Sequence, residues 1–137
     1  MSFVGQGERE TIVEGGFAVE KGRTVSFEGV TVKDSSWTGL VASGAGTQVV
    51  LQNVNVENNQ SDGVWVSDGA QLVATKCHFH QNGGDGVWVS DSTTTARLTN
   101  CTSHHNKDAG VVADSGAVVD LMGEQTVSYT HLRAHET

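Results

Sequence analysis

Apolar and polar residues alternate along most of this chain, and the alternation returns with a period of 23–24 residues. Four segments carry it most plainly: Gly39-Leu40-Val41-Ala42-Ser43, Gly63-Val64-Trp65-Val66-Ser67, Gly86-Val87-Trp88-Val89-Ser90 and Gly110-Val111-Val112-Ala113-Asp114. A weaker copy, Gly16-Phe17-Ala18-Val19-Glu20, lies 23 residues upstream of the first. A second set recurs in phase: Gly29-Val30-Thr31-Val32, Asn53-Val54-Asn55-Val56, Lys76-Cys77-His78-Phe79 and Asn100-Cys101-Thr102-Ser103. Each follows an alternating run, with Val25 and Phe27, Val49 and Leu51, Leu72 and Ala74, or Ala96 and Leu98 on one side. Alternation on a period of two is the mark of half-buried strands.

Strands that recur at a constant step predict a chain wound one coil per repeat, each strand stacked on its equivalent at roughly 4.8 Å. The inward side chains then form ladders along the axis. Two arise in the glycine-anchored strands: Phe17, Leu40, Val64, Val87 and Val111, and Val19, Ala42, Val66, Val89 and Ala113. Two more arise in the second set: Val30, Val54, Cys77 and Cys101, and Val32, Val56, Phe79 and Ser103. Three residues past the last of these ladders stand Ser35, Asn59, Asn82 and Asn106. Asparagine suits a corner because it tolerates left-handed backbone geometry and because its amide can hydrogen-bond up and down a stack. The Asp62-Gly63 and Asp85-Gly86 pairs close the same corners.

The pattern Asn-x-x-x-Gly-Val-x-Val at this period resembles the right-handed parallel β-helix repeat of the pectin-lyase-like superfamily, over about residues 15–122. The resemblance implies an all-β, right-handed parallel β-helix, here of about four to five coils. Residues 1–14 are expected to form an N-terminal segment or partial first coil, 15–123 the β-helix, and 124–137 an irregular C-terminal tail. The superfamily holds polysaccharide lyases, glycoside hydrolases, alginate epimerases and non-catalytic repeat modules, so the fold does not choose a function.

The repeat requires an apolar residue near Glu124 and does not find one. The stretch after about Thr126 also resembles adapter sequence read as coding, in which case it is not native and the natural protein continues. A real, irregular tail is the alternative.

Composition narrows the classes. Seventeen glycines with no proline disfavour long helices and favour repeated tight turns. A net charge of −8 argues against nucleic acid and against an anionic membrane surface as partners. No apolar run is long enough to span a bilayer, and residues 1–5 carry no secretory pattern, which leaves the compartment open with a lean toward the cell interior.

Four groups of residues invite a chemical reading. Trp65 and Trp88 should stand in an outward row between Val41 and Val112, suited to stacking on sugar rings or on a partner's apolar surface, unless another segment covers them. His80 and His104 should stack one coil apart with His78 beside them and His105 and Glu57 nearby, either as a Zn²⁺ site or as a solvated polar ladder. Cys77 and Cys101 share an inward ladder, where parallel Cβ directions suit free thiols better than a disulfide. Asp62, Asp85 and Asp108, with Asp68 and Asp91 at a second corner, are either Ca²⁺ ligands or turn residues. The lyases of the superfamily also need a base beside such aspartates, and Lys76, Arg97 and Lys107 are not so placed. The paired-aspartate motif of its hydrolases and the Asp-Pro-His motif of its epimerases are missing.

The expected function is therefore a non-catalytic scaffold or protein-interaction module without cofactor, part of a longer protein. Its partner would be a protein or the neighbouring coils of the same chain. A carbohydrate-binding module, or a fragment of a polysaccharide-active enzyme, is the alternative.

Overall fold

The computed structural model describes residues 1–5, 11–124, 126–127 and 130–132. Each coil contributes three short strands, and no helix occurs among the described residues. The first coil holds β1 (Ser2–Val4), β2 (Ile12–Glu14) and β3 (Phe17–Glu20), and the second β4 (Thr24–Glu28), β5 (Thr31–Lys33) and β6 (Leu40–Ser43). The third holds β7 (Gln48–Gln52), β8 (Asn55–Glu57) and β9 (Val64–Ser67), and the fourth β10 (Gln71–Thr75), β11 (His78–His80) and β12 (Val87–Ser90). The fifth holds β13 (Thr95–Thr99), β14 (Thr102–His104) and β15 (Val111–Asp114), followed by β16 (Val118–Met122), β17 (Thr126–Val127) and β18 (Thr130–Leu132). Equivalent strands stack in parallel and in register into three sheets, giving a β-solenoid of about five turns.

All four inward ladders of the sequence are present, and the runs preceding the second set supply two more. Phe27, Leu51, Ala74 and Leu98 stand in one column of the first sheet and are all at most 1% exposed. The column loosens at the far end, where Leu121 is 40% exposed. A core that narrow is continuous only along the axis, so each coil is buried by its neighbours rather than by its own side chains.

What reads as one alternating stretch, from Val25 to Val32 for example, is two strands. A single left-handed residue bends the chain between them: Gly29, Asn53, Lys76 or Asn100, with φ of 66°, 52°, 54° and 53°. The next corner is also turned by one left-handed residue, but not by the asparagine that the sequence suggests. Asp34, Asn58, Gln81 and His105, each one position earlier, have φ of 55–59°. Ser35, Asn59, Asn82 and Asn106 lie outside the left-handed region, so only the second of the two reasons for asparagine applies there.

Two short segments of the tail, Thr126–Val127 and Thr130–Leu132, are strands. β17 pairs with β14, and β18 with β15, both in parallel. The exposed edge of a parallel sheet leaves amide and carbonyl groups unpaired, and a chain running alongside satisfies them whatever its side chains.

Candidate functional site

The corner asparagines are held from above and below. Asn59 Nδ2 donates to Asn82 Oδ1 at 2.9 Å, and Asn82 Nδ2 donates to Asn106 Oδ1 at 3.0 Å. The same oxygens accept backbone amides of the preceding coil: Ser35 N to Asn59 (3.0 Å), Asn59 N to Asn82 (3.2 Å) and Asn82 N to Asn106 (3.1 Å). Asn59 and Asn82 are each 3% exposed, so the ladder is internal and serves the stack rather than a ligand. It also explains the anchoring glycines. A Cβ on Gly86 would lie 2.6 Å from the Gly110 carbonyl oxygen and 2.8 Å from Asn106 Nδ2, so close approach of backbone to amide requires glycine there.

The acidic corner works the same way. Asp62 accepts the Asp85 amide at 2.8 Å, and Asp85 accepts the Ala109 amide at 2.9 Å. Burial pushes the Asp62 carboxyl up to about 6, against the pull of the Asp85 amide and with help from the charges of Asp85 and Asp108. At the second acidic corner, Asp91 accepts the Asp68 amide (2.7 Å), the Thr93 amide (3.1 Å) and the hydroxyls of Thr93 and Thr94. Slight burial opposes the charged form of Asp91, but these hydrogen bonds outweigh it and hold its carboxyl below the ordinary value. These carboxylates bond to backbone amides and threonine hydroxyls, and among the described residues no three of them are gathered at a common point.

The histidines lie on the outer face of the second sheet. The rings of His80 and His104 stack with centroids 5.3 Å apart and planes 15° from parallel. A ring nitrogen holds its lone pair in the ring plane, so two stacked rings direct their lone pairs side by side instead of converging on one ion. His78 is exposed and bonded through Nδ1 to the Thr102 hydroxyl. Among the described residues no three His, Cys, Asp or Glu side chains are gathered to hold a metal, so the structure does not bring His78, His80 and His104 together as a ligand set. His80 Nε2 lies 2.7 Å from Asn55 Oδ1 and 3.4 Å from Glu57 Oε1. Glu57 is fixed in turn by the side-chain amides of Asn55 and Asn58. Partial burial, followed by the neighbouring His80, His105 and His78, holds the His104 imidazole below its ordinary value.

Cys77 and Cys101 are free, buried thiols on adjacent coils, each donating to a nearby carbonyl, that of Thr75 for Cys77 and that of Thr99 for Cys101. The neighbouring Cys101 thiol and burial push the Cys77 thiol up.

The two tryptophans stand in a row one coil apart. Trp65 and Trp88 have centroids 5.1 Å apart and planes 8° from parallel. Two indoles lying flat on a sheet could not approach so closely without their edges overlapping. The rings therefore stand up from the sheet, face against face, and Trp65 Nε1 donates to the Ser90 hydroxyl at 3.3 Å. Val41 continues the row and is half-buried. Val112 does not extend an open surface: it is 2% exposed, between Trp88 on one side and β18 on the other.

One aromatic of this face escapes a reading based on the strands. Trp37 meets Trp65 edge to face, 5.6 Å between centroids, and is 55% exposed. It sits two residues before Gly39, where later coils have Ser61, Gly84 and Asp108. Aligning the corners as well as the strands would have found it.

No curated protein and no solved structure matches the chain. The family model described as the right-handed β-helix region matches residues 9–124, nearly the whole of the stacked coils. This chain belongs to the right-handed β-helix family.

Proposed function

We propose that this chain is a non-catalytic β-helix module that acts as a rigid scaffold and presents an interaction surface to a protein partner. The observation that carries this reading is the use of the Trp65 and Trp88 ring faces on each other, with Trp37 left exposed at the end of the row. Side chains that could have served a substrate are spent on coil-to-coil contacts: indole on indole, imidazole on imidazole, amide on amide. Such a row stiffens the stack and leaves one large aromatic at its end for recognition.

The test is to incubate the chain with a panel of acidic and neutral polysaccharides and assay released reducing ends and unsaturated products. No release is expected, and release by any polysaccharide overturns the reading. The second reading, carbohydrate recognition, is favoured by the exposure of Trp37 beside the exposed Ser36. It predicts a saturable change in tryptophan fluorescence with an oligosaccharide, lost in Trp37→Ala.

A further inference from the structure

The first coil does not match the second at one corner. β2 and β3 are joined by two residues, Gly15 and Gly16, whereas the corners before β6, β9, β12 and β15 each have six. The register records the same mismatch: Ile12 pairs with Thr31, while Phe17 pairs with Leu40. Trp37 stands on the six-residue corner of the second coil, and the two-residue corner of the first does not reach far enough to cover it. The shortfall leaves a notch of about 310 Å³ between Trp37 and β3, lined by Gly16, Phe17, Ala18, Ser36 and Val41 among others.

β3 is also the last strand of its sheet among the described residues. Phe17 directs its amide to the Gly39 carbonyl at 2.9 Å. In a parallel ladder alternate residues bond to opposite sides, so the amides and carbonyls of Ala18 and Glu20 point off the sheet. Ala18 is exposed and forms the floor of the notch. Exposed Glu14 and Glu20 lie at this edge, but exposed Lys21 and Arg23 follow β3 and Lys33 pairs with Glu14, so the edge carries no charge of one sign.

We propose that β3 and the Trp37 notch receive an extended peptide of a partner protein, added as a further strand to the sheet. One apolar side chain of the peptide packs against Trp37. Strand addition draws affinity from main-chain hydrogen bonds and specificity from a pocket at an alternate side chain, and both elements are present here. A saccharide suits the notch less well. Ser35 already accepts the Trp37 amide at 3.2 Å and Thr38 is 4% exposed, which leaves Ser36 as the one accessible hydroxyl of that corner segment. The proposal rests on the interaction-module reading above.

The test is to pan a phage-displayed library of random peptides on the folded 137-residue chain, after depletion on the Trp37→Ala chain. Enriched peptides should share one large apolar residue. A synthetic copy should bind the wild-type chain at least about tenfold more tightly than Trp37→Ala, a difference of about 1.4 kcal/mol. It should bind Arg97→Ala, altered on a different sheet, as tightly as wild type. N-methylation of alternate peptide amides should abolish binding, because it removes the donors a ladder needs without altering the protein. Failure to enrich any peptide, equal binding by Trp37→Ala, or indifference to N-methylation overturns the site. An oligosaccharide that displaces the peptide from the notch overturns it in favour of the saccharide. The interaction-module reading falls separately, to product release in the polysaccharide assay.

Discussion

The corner before β3 and the corners before β9 and β12 connect the same two sheets of the same solenoid, yet they behave as different surfaces. Where six residues turn the corner, an asparagine is buried and bonded to both neighbouring coils. Where two glycines turn it, the amide ladder stops at Ser35, the next coil's corner stands proud, and an indole is bared. The sheets barely register the difference, because strand pairing is fixed by the inward columns. Corner length therefore governs the surface and leaves the core almost untouched.

Substitutions at the glycines should separate the two corners most sharply. Gly86→Ala places a Cβ against the Gly110 carbonyl, which cannot move without breaking the ladder, and should cost about 4 kcal/mol in urea unfolding. Gly15→Ala meets no atom within 4 Å, and its cost is the strain of φ +90°, about 1–2 kcal/mol. Removing a rung is the next largest effect. Asn82→Ala strands two backbone or amide donors and two acceptors in the interior and should cost about 3 kcal/mol, whereas Ser35→Ala, at the end of the ladder, should cost about 1 kcal/mol or less. Equal losses for the two would mean that the ladder does not hold the corner.

The aromatics should follow the same order. Trp65 contacts a ring on each side, and Trp65→Ala should lower stability by about 2 kcal/mol. Trp37→Ala, which loses one edge contact of an exposed ring, should stay within about 1 kcal/mol of wild type.

The smallest effects are those of pH, and His104 on the second sheet and Asp62 on the corner should oppose each other. The folded-state value of His104 is below the ordinary 6.5, so the unfolded chain takes up the proton first, and stability falls as pH drops below that value. Asp62 has the opposite sign. Its folded value of about 6 lies above the ordinary 3.8, so its contribution falls as pH rises from about 4 to about 6. Melting curves between pH 4 and pH 7 should show that His104→Asn removes the loss on the acid side. Asp62→Asn, which keeps an acceptor for the Asp85 amide, should raise the melting temperature at pH 7 and have little effect at pH 4. Parallel pH profiles for wild type and both variants would contradict these assignments.

Much of the fold can be read in the sequence, because a solenoid writes its contacts at a fixed separation. Phe27, Leu51, Ala74 and Leu98 are recognisable as one column from spacing alone. What spacing cannot convey is the direction of a side chain within its row. Trp65 and Trp88 are correctly aligned, but whether an indole lies flat or stands on edge depends on its neighbours one coil away. Val112 is aligned as well, yet its burial follows from β18, in a stretch whose residues carry none of the repeat. The asparagines were legible as a ladder, whereas the left-handed residue sits one place earlier and is Asp, Asn, Gln or His in turn, so composition gives no sign of it. Trp37 was hidden for a simpler reason: it lies on a corner, outside the strands that define the period.

The shortened corner of the first coil has a counterpart elsewhere on the same turn. Seven residues connect β1 to β2 where two connect β4 to β5, so Ser2 pairs 24 residues on with Ser26 and Phe17 pairs 23 on with Leu40, although Ile12 between them pairs only 19 on with Thr31. Total turn length is thus kept while its parts are exchanged. A lineage, or an engineer, could lengthen one bend and trim another on any turn, opening recesses at chosen heights along a rod whose interior stays the same.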